Sequence, residues 1–137
     1  TEEVMGAWGL SAGEAIHTST FLGHPVGCAA GLAVTDLFRD HGLLDAARAL
    51  GEAMGQALEA LRSRHRGRIG EIRGLGAMRG IEILPSEDAI KGCRAMLEQG
   101  YLVLPSGEQG EVISLTPSLT MTRPQWDGAL AALERAL

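Results

Sequence analysis

The sequence predicts an α+β fold, a small, mostly antiparallel sheet with helices packed on one face. Three observations carry this. Apolar residues recur at three- and four-residue spacing in four long stretches, the period of a helix with one buried face. Between them lie short β-prone runs joined by glycine-bearing turns. The resulting order is helix, helix, strand, strand, helix, strand, strand, helix, and short links within each strand pair favour antiparallel neighbours.

The first helix is read from Pro25 to His41, with Val26, Ala29, Ala30, Ala33, Val34, Leu37 and Phe38 on its apolar stripe. Pro25 suits a first helical turn, where its missing N–H is not needed, and Gly42 supplies the stop. A second, longer helix follows through Leu43, Leu44, Ala47, Leu50, Met54, Leu58 and Leu61. It fades into RSRHRGR, whose basic residues complement a helix carboxy terminus as a solvated end.

Ile69 to Arg73 and Met78 to Leu84 read as a hairpin turned around Gly74 and Gly76. Ser86 is the expected cap of a helix reaching Gln99, with Glu87 and Asp88 in its first turn and Ile90, Cys93 and Leu97 as its buried stripe. Gly100 ends it. YLVLP and Glu111 to Leu115 are the second strand pair, turning at Ser106 and Gly107. Thr122 with Gln125 forms a capping box, opening a last helix that presents Trp126, Leu130, Leu133 and Leu137 on one face. Residues 1–24 stand apart: after an apparent helix at VMGAW they are glycine-rich and irregular, a lead-in shaped by something beyond residues 25–137.

A length of 137 residues corresponds to about one domain. With 45% hydrophobic and 21% charged residues the chain has the balance of a globular protein. Its net charge of −5 comes from interspersed acids, without the basic stripe that tracks a phosphate backbone, so nucleic acid is not an expected partner. Cys28 and Cys93 lack the spacing of a metal site or redox pair and read as buried thiols of a reducing cytoplasm. No basic leader and no apolar run of about 20 residues marks export or a membrane span. The start, without methionine and inside an apparent helix, points to a fragment.

Chemistry is concentrated in HTSTFLGHPVGCAAGLAV, His17 to Val34. Thr18, Ser19 and Thr20 precede a glycine, a proline and a helix of small residues. Hydroxyls beside a helix start suit a phosphate, because the unpaired N–H groups and the dipole point the same way. Taken alone, the same residues could do no more than cap the helix and satisfy a bent loop.

His17, Ser19, Thr20, Phe21, Gly23, His24, Pro25, Cys28 and Ala29 together resemble a motif of the class III aminotransferases, the ω-amino acid, ornithine and 4-aminobutyrate type. EIRGLGAMRGIEI resembles that family's hairpin, and LVLPSGEQGEVISLTPSLTMT its carboxy-terminal strands. The three motifs occur in family order. The resemblance implies the carboxy-terminal small domain of a fold type I enzyme, residues 25–137, preceded by a cofactor-proximal lead-in, residues 1–24, from the large domain. It implies pyridoxal 5'-phosphate as cofactor, an amino acid or ω-amine donor, a 2-oxoacid acceptor and a cytoplasmic homodimer.

In that family the cofactor forms a Schiff base with a lysine a few tens of residues before the hydroxyl motif, which here lies upstream of Thr1, so no catalytic residue is expected in the chain. The one lysine, Lys91, reads as a solvent-facing helix charge. Thr20 is implied as the group that reaches across the dimer to the neighbouring subunit's cofactor phosphate, with Ser19 as second candidate. Several members pair an arginine with the substrate α-carboxylate where this chain has Ser114. Either the carboxylate is held elsewhere or the donor is an ω-amine. Arg73 and Arg79 read as surface or interdomain pairs, His17 and His24 as loop hydrogen-bonders, and Trp8 and Trp126 as core or interface. Decarboxylase, racemase or aminomutase chemistry on the same scaffold, or a non-catalytic α+β interaction module, are the alternatives.

Overall fold

The computed structural model describes residues 1–7, 13 and 20–137. These divide into two compact units, Thr1–His41 and Gly42–Leu137. The first holds α1 (Glu2–Gly6) and α2 (Pro25–Asp40). Pro25 opens α2 as the sequence predicts, and the helix closes where the His41 amide donates to Leu37 O. Gly42 follows in the left-handed conformation, φ 63°, a geometry that costs glycine little. No α2 residue is buried, and Val26, Leu32, Val34 and Leu37 are exposed. Cys28 is therefore corrected to an exposed thiol, whereas Cys93 is buried and its thiol is pushed up by burial.

The second unit contains α3 (Leu43–Arg64), β1 (Ile69–Leu75), β2 (Met78–Ile83), α4 (Asp88–Glu98), β3 (Leu104–Ser106), β4 (Val112–Leu115) and α5 (Arg123–Ala136). The four strands form one antiparallel sheet in the order β1-β2-β4-β3. Ile69, Ile81, Ile83, Ile113 and Leu115 pack from one face against Met54, Leu58, Leu61, Cys93, Met96, Trp126 and Leu133 of the helices. Alternation sends Gly80, Glu82, Val112 and Ser114 to the opposite face, away from α3, α4 and α5.

Two close approaches explain glycines in this unit. The β1–β2 turn seats on α3 at Gly51, where a Cβ would stand 2.3 Å from the Gly76 carbonyl carbon. Register slips between Ile69 and Ile72, a β-bulge, and the Glu71 N–H freed there donates to Glu82 Oε2 at 2.9 Å. A side chain at Gly70 would have to displace the same carboxylate, whose Oε2 lies 2.2 Å from the position of a Cβ there.

Three local expectations are corrected. Ser86 is not the cap of α4: the helix begins at Asp88, and Ser86 O instead accepts the Ala89 amide. The buried face of α4 is Ala89, Gly92, Cys93 and Met96, with Ile90 and Leu97 exposed, a rotation set by the small residues that let α4 approach β4 and α5. The strand read in YLVLP pairs only from Leu104, because Tyr101 and Val103 turn into the core and Tyr101 abuts α5 at Gly128. At α5 the capping box is present, Gln125 Oε1 accepting the Thr122 N–H at 2.8 Å.

Candidate functional site

Of the hydroxyl motif, Thr20 is described and exposed, while His17, Thr18 and Ser19 lie outside the described residues, as does Trp8. Thr20 directly precedes a turn from Phe21 to His24, closed by His24 N–H donating to Phe21 O at 3.0 Å, with Gly23 at φ 71°. His24 then caps α2, its Nδ1 accepting the Gly27 N–H at 3.2 Å. Phe21 meets the His24 ring edge-on at 6.2 Å. The hydrogen-bonding role expected of His24 is thus found, and it fixes the direction in which the chain enters the helix.

A phosphate at this turn would draw on the exposed Thr20 hydroxyl more than on the helix start, because Pro25 has no N–H and the Gly27 and Cys28 N–H groups donate to His24 Nδ1 and O. The first turn of α2 itself carries no acid, and the positive end of its dipole faces the His24 cap. Cβ atoms added at Gly23 or Gly31 would meet nothing within 4 Å, and at Gly27 only His24. The Schiff-base end of such a cofactor is a different matter. Lys91, on α4 in the second unit, is exposed and ion-paired with Asp88, whose carboxyl Lys91 first and then Arg68 hold below the usual carboxylate range. It is a surface charge, as expected.

Ser114 stands on the sheet face away from α3, α4 and α5, in register with Gly80 of β2 and Leu104 of β3. Its hydroxyl lies 2.6 Å from that of Ser106, a partner that sequence reasoning placed only in a turn. The pair is diagonal across β3 and β4, so only the strand register reveals it. Arg73 lies on the same face against Gly80 and pairs with Glu71 at 2.8 Å. That agrees with a surface ion pair.

Arg79 does not. It points to the core face, donating from Nη2 to Gly51 O at 2.8 Å and from Nη1 to Gly74 O at 3.2 Å, with Nε buried without a partner. Its neighbour Gly55 leaves the room that the guanidinium occupies. The expected surface or interdomain pair is corrected to a tie between α3 and the hairpin turn. Trp126 is core, as expected. Among the described residues no group of His, Cys, Asp and Glu could hold a metal, and no helix is long and apolar enough to cross a membrane.

Comparison with known proteins follows these observations. The family model described as Aminotransferase class-III matches residues 1–137. Ornithine aminotransferase of Bordetella pertussis is 35% identical over 122 residues, covering 88% of this chain and 28% of that protein. Among solved structures, acetylornithine aminotransferase from Elizabethkingia anophelis superposes with a TM-score of 0.72 at 30% identity, over 90% of this chain and 32% of the other. A phospholyase from Arthrobacter, solved in complex with phosphoethanolamine, superposes at 0.75 with 30% identity, over 82% of this chain and 28% of its own. The chain therefore spans less than a third of the length of these relatives.

Proposed function

The chain belongs to the class III aminotransferase family, and on that premise we propose that it is the carboxy-terminal part of a pyridoxal-phosphate enzyme moving an amino group between an amino acid or ω-amine and a 2-oxoacid. The observation that carries this reading is the family match over the whole chain. On this reading residues 1–24 are the lead-in to the cofactor and residues 25–137 the small domain, although the compact unit begins only at Gly42. The parent acts in the cytoplasm as a homodimer.

When bound, pyridoxal phosphate supplies the electron sink for chemistry at the amine carbon. The part of this chain is to hold and orient. Thr20, with Ser19 as second donor, would hold the phosphate of the neighbouring subunit's cofactor, and the acid-free first turn of α2 would tolerate the same anion. With short hydroxyls at Ser106 and Ser114 in place of a guanidinium fork, the α-carboxylate is bound elsewhere, or the amine transferred is an ω-amine. On this reading the chain by itself is inactive, because its one lysine, Lys91, is an exposed helix charge and not the Schiff-base lysine.

The test supplies the purified 137-residue chain, and separately the full-length parent, with pyridoxal phosphate, amine donors and 2-oxoacids. Amino transfer by the parent alone is the expected result. Turnover by the short chain, or a lysine-bound cofactor band in its absorbance spectrum, overturns the reading. A second reading, elimination from a phosphorylated amine, has the Arthrobacter phospholyase likeness in its favour. Release of inorganic phosphate without amino transfer would select it.

A further inference from the structure

We draw no further inference here: the strongest candidate, the apolar cavity of the Gly42–Leu137 unit lined by Tyr101, Val103, Leu115, Met121, Trp126 and Ala129, carries nothing because nothing in the structure shows what covers it.

Discussion

Gly51 of α3 and Gly76 of the β1–β2 turn touch through their backbones, so closely that a Cβ on Gly51 would overlap the Gly76 peptide at 2.3 to 2.6 Å. Backbone cannot rotate aside as a side chain can. The contact explains a glycine in mid-helix, where it otherwise costs about 1 kcal/mol relative to alanine.

Gly51→Ala should therefore destabilise the protein, the forced separation of helix and turn costing about 1–3 kcal/mol and outweighing the gain in helix propensity. Urea unfolding measures it. A midpoint that rises would show that the turn is free to lift away.

Arg79 ties together the same two elements, through Gly51 O and Gly74 O. Arg79→Met keeps much of the stem and removes these bonds, for an expected loss of about 1–2 kcal/mol. Combined with Gly51→Ala, the loss should fall short of the sum, because both changes release one contact. Strict additivity in the double-mutant cycle would separate the two.

At the bulge, Glu82 takes up the Glu71 N–H. Glu82→Ala should cost about 0.5–1 kcal/mol by passing that exposed donor to water, and Glu82→Gln should recover part of it. Amide exchange at Glu71 is the local readout: it should quicken in the alanine variant while the protection of Ile81 and Ile113 changes only with global stability.

Glu134 on α5 accepts from Arg64 at 2.9 Å and lies 3.1 Å from His65 Nε2 at the end of α3. Arg64 first, and His65 second, hold its carboxyl down to about 2, from an ordinary 4.5. With the folded value depressed, the stabilisation is present above the unfolded value and is lost as pH falls from about 4.5 towards about 2. Glu134→Gln should flatten that acid limb of the stability profile. An unchanged slope between those limits would remove Glu134 from the account.

In the full-length parent, Thr20→Ala should weaken pyridoxal phosphate retention without unfolding the protein. Losing one hydrogen bond to a charged group costs about 1.5–3 kcal/mol, roughly 10- to 150-fold in affinity. Cofactor titration followed by absorbance checks this, and an unchanged affinity would take Thr20 out of the phosphate site.

Much of the secondary structure was legible because its causes are local. Pro25 and Gly42 bracket α2, Thr122 with Gln125 opens α5, and Gly74 and Gly76 turn the hairpin, each through backbone preferences acting within a few residues. The family was legible for a related reason: its motifs are short ordered strings, and the hydroxyl motif singles out Thr20 as the proposed phosphate donor. At that site, only the capping of α2 by His24 is added by the described residues.

By itself, then, the sequence determined the kinds of element, their order, most of their ends, and the family. Tertiary structure alone decided which face of α4 is buried, that Cys93 is inside and Cys28 outside, that β4 lies between β2 and β3, and that Ser114 meets Ser106, Gly51 meets Gly76 and Arg79 reaches α3. Periodicity records that a helix has an apolar side but not which atoms will press against it. Pairings between residues distant in sequence are set by close packing and strand register, which exist only once the elements meet.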